Sequence, residues 1–340
     1  MTTSLEAEEF NRDAFQEKLP QHYRVILSEF RKISRSFVYF NLVFLTLSAI
    51  EVFLFIFFLP FLNQSSLFSL SLAAFFLTLF SYPILLFYQQ AKKPEQLNAL
   101  LDRFLTSCKT TLGLPAGVAQ HHLSIAETLL KLSQYLTDYE SLLIKTPMFF
   151  KPLTRITARI SGYCYWHDVF RFKQLLLHAA IHEHLEQIRL TPTDLEVHAS
   201  LGNAYVALSQ IYKLPLYEKY ASAFEEKFQA SAKLAIEEFQ ILSHYAPNDP
   251  WIHEQLAAGY RELGMHAEQI RETEALSKLR PQDREVLFSL GSLYFQQGLN
   301  AKGLQVYEEL KKANFKKADS LISSYGKTAS SQHQLMPLNI

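Results

Sequence analysis

Four residues near the middle of the chain have the chemistry of a possible metal site. His178 and His182 lie four residues apart, and Glu183 and His184 follow directly. On a helix, a spacing of four places two imidazoles on one face, where they could hold Zn²⁺. The order lacks the His-Glu-x-x-His arrangement that sets a general base beside the zinc. We therefore interpret these side chains as structural or solvent-exposed.

The other ligating and nucleophilic side chains are isolated in the sequence. His121, His122, Cys108 and Cys164 have no partners at ligand spacing. No Gly-x-Ser-x-Gly motif, Walker loop or dinucleotide fingerprint occurs, and the chain has only 10 glycines for phosphate-binding loops. The sequence predicts a protein that is not an enzyme and that binds no metal and no cofactor.

Glu51 is the one charged residue between Ser36 and Ala91. In the middle of a membrane helix an ionised side chain costs on the order of 3 kcal/mol, so it needs a partner or a proton. Antiparallel pairing of the flanking helices predicts Glu51 beside Thr78 and Ser48 beside Ser81. One interpretation is an ion path or a contact with another membrane subunit. We favour the other, a protonated Glu51 hydrogen-bonded inside the pair, because no intramembrane basic residue could complete a relay.

Two apolar segments around Glu51 predict a transmembrane hairpin. Phe37–Leu62 has 26 residues and Leu67–Tyr88 has 22, and about 20 helical residues cross a hydrocarbon core of about 30 Å. A four-residue turn joins them, so the helices run antiparallel. Basic residues flank the hairpin on the side of the termini: Arg31, Lys32, Arg35, Lys92 and Lys93. The positive-inside rule then places both termini in the cytoplasm, and we expect a bacterial inner membrane.

Charge in the whole chain is balanced, with 33 Lys and Arg against 33 Asp and Glu. Nucleic-acid binding draws much of its affinity from cations that neutralise phosphates. The balance predicts no nucleic-acid partner.

A pattern of leucine, a small residue and tyrosine recurs in the second half of the chain. Its copies lie 55 and then 34 residues apart, and three prolines recur at the same intervals. The copies are Leu201–Tyr205, Leu256–Tyr260 and Leu290–Tyr294, and the prolines are Pro192, Pro247 and Pro281. Gly264 and Gly298 are also 34 residues apart. The pattern resembles the tetratricopeptide repeat, a 34-residue unit of two helices.

The resemblance implies an α-solenoid over residues 161–326. Gly264 and Gly298 would end first helices in left-handed turns. A fourth unit would have its first helix around 163–175 and its second helix at 179–190. An insert at about 210–230 would lengthen the helix that follows it.

The resemblance also implies a concave groove that binds a protein or peptide partner. The groove candidates are Asn203, Val206, Trp251, Gln255, Arg261, Phe288, Ser292 and Gln296. Trp251 and Arg261 are of the residue types that dominate binding energy at interfaces.

A basic stretch follows the aromatic residues Phe149 and Phe150. It contains Lys151, Arg155 and Arg159, and no acid occurs before Asp168. It could bind lipid at the surface of the same membrane, or it could be a solvated helix face.

The predicted fold class is all-α, with two transmembrane helices followed by a tetratricopeptide-like α-solenoid. The predicted segments are an N-terminal cytoplasmic helical segment (1–36), the hairpin (37–88), a helical region extending the array (94–160), the repeats (161–326) and a polar tail (327–340). We predict a membrane-anchored scaffold that binds a protein or peptide, in an oligomeric state that the sequence leaves open. One alternative is an accessory subunit of a transporter or membrane enzyme that acts through the hairpin. Another is an inclusion-membrane-type protein of an intracellular bacterium that engages host proteins.

Overall fold

The computed structural model describes residues 12–62, 66–137, 139, 151–213 and 221–322. Within these ranges the regular structure is helical, with no strand, and the all-α class is confirmed. The polar tail, the turn of the hairpin and residues 148–150 lie outside the described residues. The helices are α1 (Arg12–Leu62), α2 (Ser66–Leu112), α3 (Ala119–Tyr135), α4 (Lys151–Leu190), α5 (Leu195–Tyr212), α6 (Ala221–Tyr245), α7 (Pro250–Glu262), α8 (His266–Leu279), α9 (Arg284–Gln296), α10 (Asn300–Lys312) and α11 (318–322).

The chain forms two compact units, Met1–Leu190 and Thr191–Ile340. In the first unit, α1 and α2 are unbroken helices of 51 and 47 residues. Each contains an apolar window long enough to cross a membrane, with mean hydropathy 2.2 in α1 and 2.0 in α2, and none of either window is buried. These are two candidate membrane spans.

The ends of α1 and α2 away from their turn pack with α3 and α4 around one hydrophobic core. Fully buried side chains from all four helices meet there, among them Phe30, Phe104, Leu129 and Phe172. The helices that carry the apolar windows therefore continue without interruption into a packed core.

The helix that pairs with α4 differs from the expected one. We predicted a first helix at 163–175 and a second at 179–190, but α4 runs unbroken for 40 residues. Between residues 163 and 190 the sequence has no glycine or proline that would end a helix. The partner of α4 is α3, whose apolar stripe includes Ile125, Leu129 and Leu132.

In the second unit, consecutive helices pack on one another as α5 with α6, α7 with α8, and α9 with α10. An aspartate two residues after each repeated proline caps the first helix of a pair. The carboxylates of Asp194, Asp249 and Asp283 accept from the backbone N–H two residues on, at 3.0, 2.9 and 3.1 Å. Local sequence thus sets where each pair begins.

Glycines end two of the first helices as predicted. Gly264 and Gly298 have φ of +69° and +74°, and the next N–H in each turn donates to a carbonyl five residues earlier. These bonds are Met265 to Tyr260 at 2.9 Å and Leu299 to Tyr294 at 2.8 Å. The left-handed turns predicted at both glycines are confirmed.

The helix after the insert is the longest second helix of this unit. This helix, α6, has 25 residues, whereas the second helices α8 and α10 have 14 and 13. Residues 214–220 of the insert lie outside the described residues.

Candidate partner-binding surface and buried polar clusters

The predicted groove residues differ in exposure. Asn203, Arg261 and Gln296 are exposed. The other five are half-buried, and they are Val206, Trp251, Gln255, Phe288 and Ser292. The amide of Gln296 donates to the Ser292 hydroxyl at 3.4 Å, a long bond on one helix face.

The two aromatic candidates pack on other rings of the same unit. Trp251 meets Phe239 edge to face, with centroids 5.7 Å apart and an interplanar angle of 87°. Phe288 lies 6.0 Å from the ring of Phe315. Contacts of this kind stabilise the helix packing, so the exposed polar candidates are the better placed for a partner.

Arg261 lines a cavity of about 550 Å³ beside the insert. Its other lining residues come from the end of α5, the first turns of α6 and the end of α7, and they are Tyr212, Lys213, Phe224, Glu225, Phe228 and Glu262. Lys213 pairs with Glu262, and Arg261 lies 4.0 Å from the same carboxylate. The cavity combines aromatic rings with charges of both signs, so its lining can make both ring contacts and hydrogen bonds.

A largely buried cluster of a histidine, a glutamate and a loop carbonyl occurs three times in the described structure. Nδ1 of the histidine lies 2.6–2.8 Å from Oε2 of a glutamate on the following helix of the pair. Nε2 lies 2.7–3.1 Å from the carbonyl six residues earlier. We call these the His–Glu clasps, and they are Ala116/His122/Glu183, Pro192/His198/Glu238 and Pro247/His253/Glu272.

The geometry of a clasp fixes how many protons it holds. A carbonyl oxygen only accepts, so Nε2 carries a proton. A second proton must then lie between Nδ1 and the carboxylate, because otherwise two lone pairs would face each other. Each clasp is therefore an imidazolium–carboxylate pair or the neutral pair made by moving that proton.

For His198 the environment shifts the imidazole toward its charged form. Burial lowers its pKa, but the hydrogen bonds that the imidazole makes to Glu238 and to the Pro192 carbonyl outweigh that effect, and the pKa is raised. His184, on α4, shows the opposite shift. It is buried, and its burial lowers the pKa to about 4.

The last helix pair replaces the clasp with apolar residues. Leu287 stands six residues after Pro281, where the other pairs have histidine, and Val306 stands three residues after Gly303, where they have glutamate. Both belong to the core of that pair. From the sequence we sought only metal-ligand partners for His122 and did not find Glu183, whose carboxylate lies 2.6 Å from the imidazole. The available signal was the interval of 55 that separates His198 from His253 and Glu183 from Glu238.

The four residues first considered for a metal do not gather in the described structure. His182 is exposed and weakly paired with Glu186 at 3.9 Å, His184 is buried, and Glu183 belongs to a clasp. Among the described residues, no three His, Cys, Asp or Glu side chains are grouped to hold a metal ion.

Polar residues inside the hairpin bond to each other across α1 and α2. The hydroxyl of Thr78 lies 2.8 Å from Oε1 of Glu51 and 3.2 Å from the Ala74 carbonyl. The Thr78 hydroxyl has one proton, which it can donate to the Glu51 carboxyl across the hairpin or to the Ala74 carbonyl of its own helix. The structure thus places the Glu51 carboxyl within hydrogen-bonding distance of the Thr78 hydroxyl, as antiparallel pairing of the two helices predicts. Ser81 donates to the Leu77 carbonyl of its own helix, and Ser48 is half-buried.

No known protein family matches the chain, and no curated protein matches it. Among solved structures, one that is similar is the human IFIT1 dimer with PPP-AAAA, at 17% identity and a TM-score of 0.33. The match covers 71% of this chain and 64% of that chain, so it spans less than two thirds of the other protein. With a TM-score this low, the ligands and partners of that protein cannot be assigned to this chain.

Proposed function

We propose that the protein is a membrane-anchored scaffold of tetratricopeptide type that binds a protein or peptide partner and catalyses no reaction. The observation that carries this proposal is the continuity of α1 and α2. Each helix passes from an unburied apolar window into the packed core of the first unit.

The unburied windows support the membrane anchor. Soluble monomers rarely expose contiguous apolar patches larger than a few hundred Å². Here the exposed apolar side chains follow both helices for most of the hairpin, and they include Leu45, Phe53, Ile56, Leu77, Phe80 and Ile84. A bilayer would cover this band.

The flanking cations support the orientation. With Lys32 and Lys92 exposed just beyond the two windows, the positive-inside rule favours both termini in the cytoplasm. A bacterial inner membrane remains our proposal for the compartment.

Exposed polar residues of the second unit support the binding role. Arg261 on α7 lines the aromatic cavity at the insert, and Asn203 is exposed on α5. We propose a protein or peptide here because the chain has no net charge that would attract phosphates.

Cross-linking and pull-down from native membranes tests the binding role. The double variant Asn203→Ala/Arg261→Ala is expected to lose the partner that the wild type captures. The matched control is Lys233→Ala/Gln305→Ala, which removes an exposed cation and an exposed amide from the second helices. The proposal fails if the first variant captures the same proteins as the wild type and the control.

A further inference from the structure

A groove of about 320 Å³ lies between α1 and α2 just outside the predicted spans. We call it the juxtamembrane groove, and its lining includes Glu29, Lys32 and Ile33 of α1 and Gln96, Leu100 and Arg103 of α2. Spacings of three and four residues place each of these sets on one face of its helix. Leu100 is also buried in the core of the first unit, so the groove has an apolar floor.

The height of the groove relative to the membrane follows from a contact between the two helices. Nζ of Lys93 lies 4.3 Å from the ring centroid of Phe37, the residue at which the apolar segment of α1 begins. For helices along the membrane normal, Gln96, Lys32 and Glu29 then lie about 5, 8 and 12 Å outside this level, at 1.5 Å per residue. The headgroup region adds about 5–8 Å to each side of the hydrocarbon core. Lys32 and Gln96 are therefore at the depth of lipid phosphates, and Glu29 lies farther out.

The charges of the groove are ordered along the same direction. Lys32, nearer the span, is exposed, and no carboxylate of the described residues pairs with it. Glu29, farther out, accepts from Nη1 of Arg103 through Oε2 at 3.2 Å, and a carboxylate can accept further bonds through its second oxygen. A cation near the membrane followed by a carboxylate farther out is complementary to a phosphate followed by an ammonium group.

The surroundings of the groove favour a lipid over a free phosphate. One turn closer to the spans, the same two helix faces hold Ser36 and Lys92, which are both exposed. Beyond them the apolar windows are unburied, so the acyl chains of a lipid seated in the groove would contact apolar side chains. Ile33 and Leu100 offer apolar contacts that a hydrated ion does not use.

We propose that the juxtamembrane groove binds an aminophospholipid, whose phosphate contacts Lys32 and Gln96 and whose primary ammonium contacts Glu29. The inference rests on the proposed anchor, because the groove meets lipid only if the hairpin crosses the bilayer. The headgroup of phosphatidylcholine has no N–H to donate to Glu29, and that of phosphatidylglycerol carries no cation. The groove therefore selects an ethanolamine headgroup.

Native mass spectrometry of the full-length protein in detergent tests the inference with phosphatidylethanolamine, phosphatidylcholine and phosphatidylglycerol of equal chain length. The wild type is expected to bind phosphatidylethanolamine about tenfold more tightly than the other two, because a hydrogen bond between charged groups is among the stronger ones. Glu29→Gln should lower this affinity to that for phosphatidylcholine. Lys32→Gln should weaken the binding of all three lipids, because they share the phosphate. The matched controls Glu17→Gln and Arg24→Gln, at exposed positions of α1 outside the groove, should bind as the wild type does.

Phosphoethanolamine, the same headgroup without acyl chains, separates a lipid from a soluble phosphate ester. At equal concentration it should not displace the lipid. Retained binding of phosphatidylcholine by Glu29→Gln shows that this variant is folded. Displacement by phosphoethanolamine, equal affinity of the wild type for the three lipids, or an equal loss of binding in the controls would overturn the inference.

The anchor is judged separately, by extraction of the wild type from liposomes with alkaline carbonate. Extraction into the soluble fraction would overturn both the anchor and the lipid site. Resistance to extraction without a preference for phosphatidylethanolamine would overturn the lipid site alone.

Discussion

Nδ1 of His253 lies 2.8 Å from Oε2 of Glu272, and both side chains are about 10% exposed. The same clasp occurs at His198 and His122, while the last helix pair has Leu287 and Val306 in these places. Equivalent positions in the helix pairs are therefore filled either by a histidine and a glutamate or by two apolar side chains.

Substituting the clasp of α7 and α8 tests its contribution to stability. His253→Leu should destabilise these helices by about 3 kcal/mol, because it leaves the buried Glu272 carboxylate without its main partner. The double variant His253→Leu/Glu272→Val copies the last pair and should recover most of the loss. Hydrogen exchange of the α7 and α8 amides in the full chain measures both. A double variant as unstable as the sum of the two single ones would contradict the equivalence of the clasp and the apolar pair.

The His198 clasp should make α5 and α6 less stable at alkaline pH. The folded-state pKa of His198 is raised, above an unfolded value of about 6.5. The stabilisation is thus complete below about pH 6.5 and is lost as the pH rises through the folded pKa. Opening of the α5 and α6 amides, corrected for the intrinsic pH dependence of exchange, should become easier between mildly acidic and alkaline pH. His198→Leu/Glu238→Val should abolish that trend, and a trend that survives it would exclude the clasp as the cause.

His184 should give α3 and α4 the opposite pH dependence. Its pKa is lowered to about 4 by burial. Between about pH 4 and 6.5, His184 therefore binds a proton in the unfolded chain but not in the folded chain. Stability then falls as the pH drops from about 6.5 toward 4, by on the order of 3 kcal/mol in total.

The variant His184→Leu should remove this acid sensitivity. His182→Leu is the matched control, because His182 is exposed on the same helix. Amide exchange of α3 and α4 at neutral and acidic pH gives the comparison. The same acid sensitivity in His184→Leu and the control would show that another group is responsible.

Local features of the fold could be predicted from the sequence, whereas most contacts between distant residues could not. The aspartate caps and the turns at Gly264 and Gly298 depend on neighbouring residues, and so they follow from the repeat pattern. The pairing of Glu51 with Thr78 followed from a short turn between two helices. The clasp of His122 with Glu183 joins residues 61 apart, across a chain segment whose repeat signature is weak.

Side-chain direction was the other limit on prediction. Trp251 and Phe288 share the first helices with the exposed groove candidates, and periodicity alone could not separate them. Their positions depend on Phe239 and Phe315, which come from other helices and offer rings at the right distance. Exposure of the groove is decided by tertiary packing.

Glu51→Gln should leave the anchor and partner capture unchanged. A glutamine at this position can accept from or donate to Thr78, so the bond across the hairpin survives without a titratable group. Pull-down and membrane extraction of this variant should match the wild type. Loss of the captured partner would instead favour the accessory-subunit interpretation, in which the hairpin itself acts.

The position of the hairpin in the membrane is tested most directly by labelling one cysteine at a time with a membrane-impermeant maleimide. Cys164 is the exposed native thiol, and Cys164→Ser/Ser65→Cys moves the reactive thiol to the turn between the two spans. The account predicts that only the turn cysteine reacts in sealed spheroplasts and that only Cys164 reacts in inside-out vesicles. Reaction of both cysteines from the same side would contradict a hairpin that crosses the membrane.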